Sequence, residues 1–339
     1  MVRFWKDYHS PTTLDEALVL LAHYQGRARV VAGGTDLFLD LSAAYESGGR
    51  PCLDALIDIT RMEGADALVE QDGYIIIGCG VTHAQIVDSP LIQARATALA
   101  EACSVVGGPQ VRNVATLIGN VAHALPAADG TIALLALEAE ARVNEPMRND
   151  KSQMTNDKGW RPLGELFRGP GESTVDATRE IITAVRFRPT GEHAASAFAR
   201  VMRPQGVALP ILGMAVKARG RMKAEGGRMK TAGTGLPQRG PVEQGPRGPS
   251  SENDGGVRIE EIAISVGPVA PVPFRASRTE AFLSGKEWRE DVLEQATRVL
   301  LSEVAPRSSP HRATKEYRLE LLPSLLSETL GMAIERLRT

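Results

Sequence analysis

Apolar and polar positions along the chain alternate between two spacings, and the switches between them mark the elements. Ser10-Pro11-Thr12-Thr13-Leu14-Asp15-Glu16 carries a helix-start signature: Thr13 can cap, and Glu16 follows three residues later. The helix it predicts runs through ALVLLAHY and stops at Gly26. RARVVAG then has the continuous apolar character of a buried strand, and LIDIT, residues 56 to 60, that of another. Strand, glycine turn, helix and strand in this space predict a small βαβ-like N-terminal unit.

From about residue 66 the pattern changes. YIIIGCGVTHAQIV predicts a strand, a turn and a helix start, and ATALAEACSVVG an alanine-rich helix ended by Gly107-Gly108-Pro109. TIALLALEAEA predicts a further helix, and REIITAVRFRP, residues 179 to 189, a strand stopped by proline. From about residue 194 three strands are expected, in AASAFARVM, VALPILGMAVKAR and IEEIAISVGPV. Helical patterns follow at RTEAFLSG, DVLEQATRVLLSEV and ATKEYRLELLPSLLSETLGMAIERLR. Strands followed by helices predict an α+β unit.

Two polar inserts interrupt this order, residues 144 to 159 and roughly 219 to 256. Neither has periodic apolar residues to offset the entropy of ordering, so both are expected to be mobile loops. The second carries several Arg and Lys residues, which leaves a solvated linker and a basic contact patch as its two readings.

Composition narrows the function classes. At 339 residues, two or three domains are expected. A formal net charge of −2 gives no global attraction to nucleic acid. Cys52, Cys79 and Cys103 are odd in number and widely spaced, which argues against a disulfide framework or a structural zinc site. They are expected to be reduced, in a cytoplasmic protein. The N-terminus lacks the apolar core of a signal peptide, and no run of 18 apolar residues predicts a membrane span. The six histidines show no metal-binding spacing, and no GxSxG elbow supports a hydrolase.

Two glycine-bearing turns hold the candidate chemistry. Gly33-Gly34-Thr35-Asp36 follows an apolar strand. Glycines allow backbone N–H groups to converge on a phosphate without Cβ clashes. The stretch is neither GxGxxG nor a P-loop, so an ordinary turn is the alternative. The second stretch is Asn113-Val114-Ala115-Thr116-Leu117-Ile118-Gly119-Asn120, followed by ALPAAD ending at Asp129. Asp129 can accept from ribose or ribityl hydroxyls, or can cap the next helix. His123 is either near a ligand held here or a bystander. His83 is expected at a turn or helix start, and Cys103 in the core.

AGGTDL, VGGPQVRNVATLIGN with PAAD, WRPLGELFRGPG, REIITAVRF and ATKEYRLELL occur in this order over most of the chain. Together they resemble the FAD-binding subunit of the molybdenum hydroxylase family. That family includes the medium subunit of carbon monoxide dehydrogenase and the flavin domain of xanthine dehydrogenase. The resemblance implies a PCMH-type FAD-binding fold of class α+β. Residues 1 to 62 would be a small βαβ subdomain and 63 to 191 an α+β middle subdomain. Residues 192 to 339 would be an α+β domain with a three-stranded antiparallel sheet and helices, interrupted by a flexible insertion at 219 to 256. It implies FAD between the first two units, with Val31, Ala32, Gly33, Gly34, Thr35, Asp36 and Leu37 as one wall. Ala115, Thr116, Gly119, Asn120 and Asp129 would be the other, and Ile181 would lie against the ring system.

No catalytic acid, base or nucleophile and no metal ligand is implied in this chain. The family relay passes electrons from a molybdopterin cofactor on a large partner through [2Fe-2S] clusters on a small partner to FAD. From there they go to NAD or another acceptor, in a dimer of heterotrimers. A stand-alone FAD-dependent oxidoreductase and a flavin-free scaffold subunit are the alternatives. The sequence departs from the family where Ile118 replaces the first glycine of TIGGN and Leu125 replaces a frequent serine. ARVMRPQGVALP has no aromatic after Phe198 to cover the flavin, and residues 144 to 159 contain no cysteine for an extra cluster.

Overall fold

A computed structural model describes residues 3–49, 52–145, 159–203, 210–222, 256–310 and 312–339. The chain opens with β1 (Trp5–His9), α1 (Leu14–Tyr24), β2 (Ala28–Val31), α2 (Leu37–Glu46) and β3 (Leu53–Asp58). Its three strands form a parallel sheet in the order β1-β3-β2. Helix α1 starts as its sequence predicts: the Thr13 side chain accepts from Glu16 N, and the Glu16 carboxylate accepts from Thr13 N. Ala17, Leu18 and Leu21 turn one stripe of it inward.

The second layer comprises β4 (Leu68–Gln71), β5 (Tyr74–Gly78), α3 (His83–Asp88), α4 (Pro90–Arg95), α5 (Thr97–Ser104), α6 (Pro109–Arg112), α7 (Leu117–Ala122) and α8 (Asp129–Ala136). These are followed by β6 (Glu140–Asn144), β7 (Trp160–Pro162), β8 (Phe167–Gly169), β9 (Glu172–Ser173) and β10 (Ile181–Phe187). Five strands make one antiparallel sheet, β4-β5-β10-β6-β7. The helix expected over TIALLALEAEA ends early, at Ala136. Glu138 takes a left-handed φ of 58°, and Glu140–Asn144 continues as β6. Alternation of Ala141 and Val143 inward with Arg142 outward is the strand signal that overrides helix propensity there.

The third layer has β11 (Ala194–Met202), β12 (Pro210–Met222), β13 (Val257–Gly267), β14 (Phe274–Arg275), α9 (Ser277–Leu283), α10 (Glu290–Glu303) and α11 (Lys315–Arg338). Its sheet is antiparallel, as expected, and gains a short fourth strand in the order β11-β12-β13-β14. Positions 219–222 belong to β12, so the second insert starts later than its composition suggests. Residues 146–158 and 223–255, where both inserts and their expected mobility fall, lie outside the described residues.

One apolar core runs through the first two layers, from Leu21 and Ile57 to Ile77, Leu99, Ile132 and Phe187. A second lies between the third sheet and its helices, around Leu212, Val266, Leu300, Leu326 and Leu330. Among the described residues no helix is long and apolar enough to cross a membrane.

Candidate functional site

The site is built where β2 and α6 deliver two turns to the same place. After Val31 the chain bends through Ala32, Gly33, Gly34 and Thr35 into α2. Gly34 has φ +69°, a conformation that favours glycine. A Cβ on Gly33 would lie 2.3 Å from the Val114 carbonyl oxygen and 2.8 Å from Ala115 Cα. The two turns are therefore packed backbone to backbone, and only glycine permits it. Gly34 O accepts from Phe38 N at 3.0 Å and Asp36 O from Asp40 N at 2.9 Å, so the carbonyls serve the start of α2. The amide N–H groups of Gly33, Gly34, Thr35 and Asp36 donate to no described residue. Such a run of unpaired, half-exposed donors is what an anionic group requires.

The second turn is held from below. Ala115 N donates to Val111 O at 2.7 Å and Ala115 O accepts from His83 N at 3.0 Å. Thr116 caps α7, its hydroxyl accepting from Gly119 N at 3.0 Å. Asn120 Oδ1 accepts from the amide and hydroxyl of Thr131, at 3.1 and 3.2 Å, and ties α7 to α8. Its side-chain amide donors remain for a ligand. His123 bridges back to the first wall, with Nε2 3.3 Å from Asp40 and Nδ1 3.7 Å from Asp36.

Asp129 does not cap α8. Ala128 holds the cap position, and Asp129 is the first helical residue. Its Oδ2 accepts from Arg200 Nη1 at 2.6 Å, with side chains 5% and 8% exposed. Oδ1 has no hydrogen-bond partner among the described residues. Gly213 of β12 packs beside it, a Cβ there lying 3.5 Å from Oδ1. Burial pushes the Asp129 carboxyl up to about 7, against the opposing pull of Arg200. The sequence signal for Arg200 is a guanidinium inside the apolar run AASAFARVM. Its partner, 71 residues away, is visible only in the fold.

Ile118 is the second residue of α7, with a side chain 3% exposed in the core. Its φ is not positive, so this position does not require glycine. The departure from TIGGN thus leaves the start of α7 in an ordinary helical conformation. Ile181 opens β10 and is buried at 1% exposure in the core, where α7 packs against β10. That leaves it chiefly its main chain to meet a ligand. Residues 204–209, in the stretch without an aromatic to cover the flavin, lie outside the described residues.

His83 follows the Thr82 cap of α3 and is 1% exposed, with Nδ1 3.2 Å from Cys103 Sγ. Burial, then Arg112, pushes the imidazole down to about 4. Burial, then Asp129, pushes the thiol up. Both are neutral at pH 7, so neither offers a thiolate or an acid at the site. The linkage has a definite sign. A histidine depressed from 6.5 to about 4 contributes stability above pH 6.5 that is lost as the pH falls toward 4. The loss is roughly 3 kcal/mol. Asp129, raised from 3.8, acts oppositely, its contribution being lost as pH rises toward 7. Replacing His83 with Gln is expected to flatten the decline of denaturation midpoint between pH 6.5 and 4. An unchanged slope would assign that decline to other groups.

A separate cavity of about 490 Å³, bordered by Tyr74, Glu138, Glu140, Arg188, Lys217 and Arg275, includes none of the expected site residues. Among the described residues no group of His, Cys, Asp and Glu can hold a metal ion.

Two touching turns, one of them with unpaired amides, set between a parallel βαβ layer and an antiparallel sheet, form a cradle suited to an anionic group. The chain belongs to the family of the FAD binding domain in molybdopterin dehydrogenase, whose model matches residues 3–189. The CO dehydrogenase flavoprotein C-terminal domain matches residues 251–333. It is similar to the xanthine dehydrogenase FAD-binding subunit of Escherichia coli O157:H7, 27% identical over 96% of this chain and 95% of the relative. It is also similar to the carbon monoxide dehydrogenase medium chain of Hydrogenophaga pseudoflava, 28% identical over 67% of this chain and 80% of the relative. The solved carbon monoxide dehydrogenase from Hydrogenophaga pseudoflava contains a chain of the same fold. Its TM-score is 0.77 at 23% identity, over 99% of both chains.

Proposed function

We propose that this chain is the FAD-carrying electron-transfer subunit of a molybdenum hydroxylase. Its donors are [2Fe-2S] clusters on a small partner, fed by a large molybdopterin-binding partner, and its acceptor is NAD or another oxidant. The observation that carries this reading is the contact of Gly33 with Val114 and Ala115, beside four free amides at residues 33–36. Those residues fit a pyrophosphate: the amides neutralise it without a lysine, and the absent Cβ atoms let it approach.

Val31, Ala32, Gly33, Gly34, Thr35, Asp36 and Leu37 form one wall of the site; Ala115, Thr116, Gly119, Asn120 and Asp129 form the other. Asn120 presents its side-chain amide to ligand hydroxyls, and Asp129, buried against Arg200, backs the wall behind it. Ile181 contributes through its main chain. Bound FAD supplies the ability to exchange one or two electrons, which no side chain here provides. The protein's part is to bind, orient and shield it.

We read the chain as dividing near residues 62 and 191, with the flavin held between the first two units; Arg200 of the third pairs with Asp129. Relatives named as a FAD-binding subunit and a medium chain support a larger assembly, taken here as a cytoplasmic dimer of heterotrimers. Purification from the native host with metal and flavin analysis tests the reading. Two further subunits together with molybdenum, iron and FAD are expected. A homogeneous single chain with full turnover would overturn it.

A further inference from the structure

Arg318 lies in the first turn of α11, yet it is only 2% exposed. Its Nη1 donates to Arg307 O at 2.7 Å, and its Nε has no partner among the described residues. Arg312 and Arg307 are close enough that each lowers the guanidinium pKa of Arg318, after burial as the larger cause. Arg203, just past the end of β11, donates from Nη2 to Arg312 O at 3.2 Å.

Arg307, Arg312 and Arg318 thus lie close together, with Arg203 held on the backbone of Arg312, and among the described residues no carboxylate pairs with any of them. Nearby Glu303 is already committed to the amides of Arg278 and Thr279 and to the Thr279 hydroxyl. Glu316 and Glu320 of α11 are exposed and paired with none of the four. The adjoining sequence, Pro-Gln-Gly-Val-Ala-Leu at 204 to 209 and His311, contains no acid either.

A guanidinium cannot discharge itself by losing its proton, so burial without a counter-ion is costly. The position makes it worse, because the start of a 24-residue helix is its positive end. An anion resolves both problems. Arg307 is exposed and Arg312 half-buried, so the cluster opens to solvent on their side. Several forked donors around one helix start match the tetrahedral oxygens and double charge of a phosphoryl group.

We propose that Arg203, Arg307, Arg312 and Arg318 form a binding site for a phosphoryl anion, separate from the glycine turns. The two sites share no residue. The proposal does not depend on the flavin reading.

The test is calorimetric titration of the full, FAD-saturated chain with inorganic pyrophosphate, against chloride at equal ionic strength. Saturable binding is expected. Arg307→Gln with Arg312→Gln should weaken it at least tenfold, whereas Gly331→Ala, whose added Cβ meets nothing within 4 Å, should leave it unchanged. Both arginines are more accessible than Arg318, so the pair keeps the test valid if Arg318→Gln fails to fold. Absence of saturable binding, or equal affinity in the double variant, overturns the proposal. Pyrophosphate binding that appears only in flavin-free protein, is displaced by FAD and is kept in the arginine pair also overturns it, by placing the phosphate on the flavin turns.

Discussion

Gly33→Val is expected to yield folded protein that has lost its flavin. Its new Cβ would sit 2.3 Å from Val114 O and 2.8 Å from Ala115 Cα, both backbone atoms that cannot rotate aside. The two turns must separate, and the amides of Gly33 to Asp36 then no longer face Ala115 and Thr116 as one surface. A loss of FAD affinity of at least about 100-fold, near 2.7 kcal/mol, follows if the pyrophosphate depends on both turns. Gly331→Ala is the control. It lies in α11, has nothing within 4 Å of the added Cβ, and should leave flavin content unchanged. Its expected effect on stability is neutral or favourable by up to about 1 kcal/mol. Flavin content and far-UV circular dichroism of both variants decide the matter. Full flavin retention in Gly33→Val would mean that the turns do not act together.

Asp129→Ala is expected to cost about 3–5 kcal/mol of stability at neutral pH, because it strands Arg200 as a buried, uncompensated charge. The pair is 2.6 Å apart and joins α8 of the second layer to β11 of the third. Arg200→Met added to Asp129→Ala removes the stranded charge and should recover most of the loss. A double-mutant cycle by urea denaturation measures this coupling. Additive effects of the two substitutions would contradict it. Flavin affinity supplies a second readout, since Asp129 is expected to back the second wall of the cradle. Removal of Asp129 should therefore weaken FAD even where the double variant is stable again.

Much of this architecture was legible because local signals agree with it. Thr13 and Glu16 announce α1, and the apolar runs at 28–31, 74–78 and 181–187 are strands because their side chains are buried. Strand β1 was not anticipated. It is an edge strand whose middle positions, Lys6 to Tyr8, are exposed, so its sequence lacks an apolar signature. The overlong helix at TIALLALEAEA arose because Ala, Leu and Glu all favour helix, while tertiary pairing of Ala141 with Val185 makes that segment a strand. Both glycine turns were visible as turns. That they touch is a long-range fact, set by the sheet order and unreadable from either stretch alone. The same holds for Asp129, whose spacing before an apolar helix suggests a cap but whose actual partner comes from a different sheet. Ile118 illustrates the reverse: a conspicuous departure in sequence becomes unremarkable once its helical backbone and buried side chain are seen.

Fluorescence titration of flavin-free protein with FAD and with riboflavin addresses the pyrophosphate cradle most directly. Both ligands carry the same ring and ribityl chain, and only FAD has the diphosphate bridge. The account predicts stoichiometric FAD binding at least about 100-fold tighter than riboflavin. Equal affinities, or no FAD binding at all, would contradict it.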